Sequence, residues 1–183
     1  MTAQGCFTTL LSRSLIRVSG PDRADFLQGL LTQDVETLAA GACRFGALLT
    51  PQGRLLFDLF LFGEAEAILL DVAAGRRDDL IARLMMYRLR AKVTIEADDR
   101  PVVAAWGGPA PAGWPEDPRL PQLGWRTVNA APPPGAKVVT ETDYDHHRLS
   151  LGAPGPADWG VEATYPIEAD FDLLNGIDFR KGC

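Results

Sequence analysis

Apolar and polar positions along the first hundred residues follow two different rhythms. Leu15 to Val18 is a short apolar run with two β-branched residues, the mark of a strand. Ser19-Gly20-Pro21-Asp22 then carries helix-start chemistry. Gly20 can cap, Pro21 suits a first turn, and Asp22 favours the positive end of the helix dipole. Phe26, Leu27, Leu30 and Leu31 follow at helical spacing, with Arg23, Asp25 and Gln28 between them, which predicts an amphipathic helix. Arg44 to Thr50 and Arg54 to Phe62 flank Pro51-Gln52-Gly53 and predict a hairpin; Ala67 to Val72 adds a third strand. Gly75 to Arg90 sets Leu80, Ile81, Leu84, Met85 and Leu89 on one helical face and Arg76, Asp79, Arg83 and Arg90 on the other. Lys92 to Ala97 alternates again as a strand. Helices separated by hairpins argue for an α+β fold of antiparallel sheets covered by helices.

The texture changes after Asp98. Val102 to Trp106 reads as a strand, but eight of the 14 prolines fall between Pro109 and Pro134. Residues 108–134 are therefore expected to form a Pro-stiffened surface loop around one short strand, Trp125 to Val128. Asp143 to Leu151 reads as a short helix, Tyr165 to Glu168 as extended chain, and Phe171 to Leu174 as a helical turn stopped by Asn175-Gly176. This divides the chain into a first module at 1–98 and a second at 99–183. The second is expected to be truncated, because the sequence stops just after a turn and the start of an apparent new strand.

Composition narrows the function classes. A net charge of −6 gives no overall attraction to a polyanion, so no direct nucleic-acid partner is expected. Arg54 to Phe62, the most apolar window, is interrupted by Asp58 and too short to cross a bilayer, so no membrane partner is expected either. Cys6, Cys43 and Cys183 lie too far apart in sequence for a metal-ligand motif, and their odd number indicates no disulfide framework. With no secretory signal at the start, these features point to a cytoplasmic setting. His146 and His147 are adjacent and point apart in any regular element, which argues against one shared metal, so no metal site is assigned.

Several segments together carry a resemblance. Gly20-Pro21-Asp22 followed by Phe26 to Leu30, the run Pro51-Gln52-Gly53-Arg54 leading to Asp58, and Leu89-Arg90-Ala91-Lys92-Val93 come in that order. Arg148 with Gly152 and Pro154, then Tyr165-Pro166-Ile167-Glu168 and Lys181-Gly182-Cys183, complete the series. This resembles the YgfZ-type folate-binding proteins, related to the aminomethyltransferase (T-protein) of glycine cleavage. The resemblance implies a folate-binding domain of the aminomethyltransferase type, with tetrahydrofolate as cofactor and iron–sulfur proteins as partners. It also implies a link to tRNA modification through an iron–sulfur enzyme. The resemblance places the end of the chain inside the K-G-C-Y-x-G-Q-E signature, so the family's C-terminal barrel is expected to be absent from it.

The resemblance also marks site residues. Glu168 matches the position of a pterin-binding carboxylate, and a carboxylate can accept two parallel hydrogen bonds from an aminopyrimidine edge. Arg148 is a candidate for the folate glutamate tail, or simply a partner of Asp145. Asp58 stands where the T-protein carries a pair of acids, with Phe57 replacing the other. Set among Leu56, Phe57, Leu59 and Phe60, it resists ionising if buried, as a general acid or base does; an acid on the solvated face of the strand is the plainer reading. Cys183 is the candidate nucleophile, and Lys181 beside it favours the thiolate and counts among the folate contacts. The implied function is a tetrahydrofolate-binding accessory protein in iron–sulfur protein maturation or repair. A folate-dependent aminomethyl or methyl transferase is the enzymatic alternative, and a family member that has lost folate binding is a third.

Overall fold

The computed structural model describes residues 4–181. Its elements, in chain order, are β1 (Cys6–Thr9), β2 (Arg13–Ser19), α1 (Arg23–Gln28), β3 (Cys43–Leu49), β4 (Leu55–Gly63), β5 (Ala67–Ala73), α2 (Arg77–Arg88) and β6 (Thr94–Asp98). They continue with β7 (Val102–Trp106), β8 (Trp125–Val128), β9 (Lys137–Val138) and α3 (Glu141–Ser150). Strands β3-β4-β5-β2-β6 form an antiparallel five-stranded sheet, and β8-β7-β1-β9 a four-stranded one in which only β1 and β9 run parallel. The fold is α+β with largely antiparallel sheets, as the periodicity predicted.

The five-stranded sheet is covered on both faces. Toward α1 and α2 it presents Ile16, Val18, Leu59, Leu61, Leu70 and Val72, which pack with Leu27, Leu80 and Leu84 into one apolar core. Toward the second sheet it presents Leu15, Phe45, Phe60 and Leu69, which pack with Val102, Ala104, Trp106 and Tyr144, and with Phe171 and Leu174 of the last turns. Double coverage explains why every residue of β4 is buried. A strand covered on both sides reads as a continuous apolar run, not as an alternating one.

Local chemistry accounts for the junctions. Pro51-Gln52-Gly53 closes the β3–β4 hairpin, Gly53 takes φ +80, and the register shifts at Leu48/Leu49, as expected for a three-residue loop with a bulge. Thr140 caps α3 by accepting from the Asp143 amide, while the Asp143 carboxylate accepts from the Thr140 amide.

Four expectations change. β1 joins β7 and β9, so a strand from residues 1–98 belongs to the sheet built by residues 99–183. α2 buries Leu80 and Leu84, but Met85 and Leu89 are exposed, because the sheet covers only a narrow stripe of the helix. Pro166 to Ala169 forms a 3₁₀ turn instead of extended chain, with Pro166 at a first helical position, where its lack of an amide is harmless. The Pro-rich segment is not all surface: Asp117, Arg119 and Leu123 are buried. Gly124, at φ +86, makes this possible, since a Cβ there would lie 2.2 Å from the Ala105 carbonyl oxygen.

Candidate functional site

Strand alternation places Asp58 and Phe60 of β4, Asp71 of β5 and Arg13 of β2 on the face turned toward the second sheet. That sheet returns Arg126 from β8, α3 returns Tyr144, and the Pro-rich segment inserts Asp117 and Arg119. The result is a buried chain of charges. Asp71 accepts from Arg13 Nε at 2.6 Å through one oxygen and from Arg126 Nε at 2.9 Å through the other. Arg13 Nη1 reaches Asp58 Oδ2 at 3.0 Å, and Arg13 Nη2 donates to the Asp71 carbonyl at 2.9 Å. Arg119 forks onto Asp117 at 2.9 and 2.8 Å and donates to the Tyr144 hydroxyl at 2.9 Å. Phe60 is the common platform, with the Arg126 guanidinium 3.8 Å and that of Arg119 4.8 Å from its ring centre. Such contacts are worth about 2 kcal/mol or more when desolvated.

Three guanidiniums therefore meet three carboxylates in a space that excludes most water. Burial alone would lower the Arg13 pKa, but Asp58 and Asp71 beside it hold it above the usual arginine value. Arg119 is held up in the same way by Asp117. Burial opposes ionisation of Asp117, yet Arg119 and Arg126 overcome it and keep the carboxyl below the usual range. Burial pushes the Tyr144 hydroxyl up, so it stays protonated at neutral pH.

The network floors a cavity of about 220 Å³, whose less buried wall carries Ser12, Glu141, Asp145 and Arg148. Two of the candidate residues meet here, Asp58 and Arg148. Asp58 is 6% exposed and faces a guanidinium, neither a purely apolar nest nor solvent. Arg148 is tied to Asp145 at 2.6 Å, to Asp158 at 2.8 Å and to the Ala153 carbonyl at 3.1 Å, so it straps residues 153–158 onto α3. The other candidates lie elsewhere. Glu168 is exposed, accepts from the Tyr165 amide at 2.7 Å, and borders an open groove with Thr164 and Asp170. Lys181 donates to the Leu31 carbonyl beside Tyr87 and Pro51, and burial lowers its pKa. Cys183 lies outside the described residues.

The sequence reading did not single out Arg13, Asp71, Asp117, Arg119, Arg126 or Tyr144. One signal was available. Asp71 interrupts an apolar strand just as Asp58 does, and two acids inside doubly covered strands call for buried cations.

No family model matches the chain. It is 33% identical to the human mitochondrial iron–sulfur cluster assembly factor IBA57, an alignment covering 99% of this chain and 60% of the relative. The IBA57 homologue of Neurospora crassa is 30% identical, with 96% of this chain and 47% of the relative covered. Over almost its whole length the chain is thus similar to the IBA57 iron–sulfur cluster assembly factors, as the motifs along the sequence led one to expect.

It spans about half to three-fifths of the length of these relatives. Among solved structures, the glycine cleavage aminomethyltransferase T of Bartonella henselae superposes with a TM-score of 0.74 at 20% identity, covering 94% of this chain and 58% of that one. The fold is thus the aminomethyltransferase fold. The expected cytoplasmic setting does not stand, because these family members are named as mitochondrial. The features behind it, few cysteines and no long apolar segment, do not distinguish one compartment from another. Among the described residues no helix is long and apolar enough to cross a membrane.

Proposed function

We propose that the chain is the folate-binding part of an accessory factor for the maturation or repair of iron–sulfur proteins. The cluster-assembly half of this reading is supported by the named relatives, which match almost the whole chain. The folate half is carried by one observation: Asp58 and Arg148, both marked by the family motifs, stand in one cavity. Its volume, about 220 Å³, lies below the roughly 300–1,000 Å³ of sites that enclose a drug-sized ligand, so it fits a ring system and not a whole folate. Bound tetrahydrofolate would supply a nitrogen able to carry a one-carbon unit. The chain's own residues would orient the ring through Asp58 and Arg119 and exclude water with Phe60 and Leu10.

Aminomethyl transfer of the glycine-cleavage kind is not expected. Phe57 replaces one acid of the pair and faces the helix-side core, while Asp58 is committed to Arg13. Calorimetric titration with tetrahydrofolate tests the folate half. Restored iron–sulfur enzyme activity in cells lacking an IBA57-type factor, on expression of this chain, tests the other. No heat of binding, or no restoration, would sink the corresponding half.

A further inference from the structure

The two sheets have four edges, and three of them are blunted. Along β3, Leu31 bridges to Leu48, the Thr32 amide donates to the Ala47 carbonyl at 2.9 Å, and Gln33 Nε2 donates to the Phe45 carbonyl at 2.9 Å. Along β8, Glu116 bridges to Trp125, and the Arg126 amide donates to the Pro115 carbonyl at 3.2 Å. β9 is two residues long and leaves little to pair with. β6 is the exception. It follows β2 for five residues without a register shift, and among the described residues no backbone pairs with its outer side. Thr94, Glu96 and Ala97 are exposed. An open, regular edge offers a row of free amides and carbonyls, which proteins ordinarily protect.

The charge beside this edge is one-sided. Residues 80–95 hold Arg83, Arg88, Arg90 and Lys92 and no acid, in a chain whose net charge is −6. Among the described residues none of these four forms an ion pair, whereas Arg76 and Arg77 at the start of α2 do. Along β6 and the turn after it every acid is already matched. Glu96 meets Arg17 at 3.3 Å, Asp98 meets Arg100 at 2.6 Å, and Asp99 meets Arg77 at 3.1 Å. The uncompensated charge at this edge is therefore positive. With it stands Leu89, whose side chain is 88% exposed and whose φ is +42. A bulky residue in the left-handed region is strained, and here no burial offsets the strain.

We propose that β6 is a docking edge for an extended, acidic segment of a partner protein, which joins the sheet as an added strand. The backbone of that segment pairs with β6, its carboxylates meet Arg88, Arg90 and Lys92, and an apolar residue rests on Leu89. The row of backbone groups selects a peptide over a lipid surface or a nucleic acid, neither of which offers amides and carbonyls at strand spacing. A second copy of this chain fits less well, because the acids its own β6 would bring are already matched. The edge shares no residue with the cavity of Asp58 and Arg148, so the proposal stands or falls independently of the folate reading.

Panning a display library of random decapeptides on this chain makes the test, with the enriched peptide then followed by fluorescence anisotropy. Enriched sequences are expected to alternate Asp or Glu with β-branched residues, and β6 amides are expected to slow in hydrogen exchange when the peptide binds. Methylating alternate peptide nitrogens should abolish binding in one phase of the alternation and spare it in the other, since only one set faces β6. Arg90→Glu combined with Lys92→Glu is expected to weaken the peptide by about tenfold or more. Both side chains are exposed, and Lys92 holds Asp22 through its amide at 2.7 Å, so the fold keeps that contact. Leu89→Gly relieves the backbone and removes the side chain, so thermal stability should hold or rise while binding falls by about threefold. No enrichment of acidic peptides, equal affinity in the charge-reversed chain, equal effects of the two methylation phases, or protection confined to amides outside β6 overturns the proposal. Binding of phosphatidylserine vesicles or polyuridylate through Arg90 and Lys92 in place of any peptide overturns it too, as does a dimer paired through β6 in sedimentation equilibrium.

Discussion

The two faces of the five-stranded sheet are built from the same strands and are both covered, yet they are held by different forces. Toward α1 and α2 the contacts are aliphatic: Leu59, Leu61, Leu70 and Val72 interlock with Leu80 and Leu84. Toward the second sheet, neighbouring positions on β4 and β5 carry Asp58 and Asp71, arginines from β2 and β8 come to meet them, and Arg119 pairs with Asp117 of the Pro-rich segment beside them. The aliphatic face gains stability from burial at about 25 cal/mol per Å² and is indifferent to pH. The charged face gains little net stability, because removing six charges from water offsets most of their attraction. A protein that needed only a second core would do better with leucines there. The charged face is where the cavity with Asp58 and Arg148 occurs, so this is where function is to be sought.

The largest expected effect breaks the charged face at its centre. Asp71→Ala leaves Arg13 and Arg126 buried with part of their pairing gone and should destabilise by about 3–5 kcal/mol, read by denaturant unfolding. Close behind, Leu70→Ala on the opposite face opens a cavity in the aliphatic core and should cost about 2–5 kcal/mol. The two differ in their response to acid. The Asp117 carboxyl is depressed in the folded chain by Arg119 and Arg126, so its contribution to stability is present above the unfolded value near 3.8 and is lost as pH falls through the folded one. Wild type and Leu70→Ala should therefore both lose stability steeply below about pH 4, whereas Asp117→Asn should lose less over the same window. Parallel acid profiles for all three would count against the charged face as a source of that loss. Glu168→Gln should change tetrahydrofolate affinity less than Asp58→Asn, since Glu168 caps an exposed turn on another groove. The smallest effect belongs to Met86→Lys on the open side of α2, expected within about 0.5 kcal/mol of wild type, because Met86 is 69% exposed.

Much of this was legible in the chain itself. The periodicities of β2 to β5 and α2 and the Pro51-Gln52-Gly53 turn are local signals, set by backbone geometry and by side chains within a few residues of each other. Family motifs spread along the chain were legible for the same reason, and the relatives and the shared fold agree with them. The acid in the middle of Leu56-Phe57-Asp58-Leu59 was visible as an oddity, but its neighbours in sequence are not its neighbours in space. Alternation says which residues share a face. It does not say what covers that face.

That was decided by the tertiary structure alone. Arg13 and Asp58 are 45 residues apart, Asp71 and Arg126 55, and Arg119 and Tyr144 25, so no window of sequence contains any of these pairs. Glu168 and Arg148 share the family motifs and yet point into different grooves, because a 3₁₀ turn and a salt-bridged strap intervene. The sequence by itself determined which segments are strands and helices, since each depends on contacts within a turn or a pleat. Which charges neutralise one another, and which residues line the cavity, depended on how two sheets and a proline-stiffened segment close over the same strand.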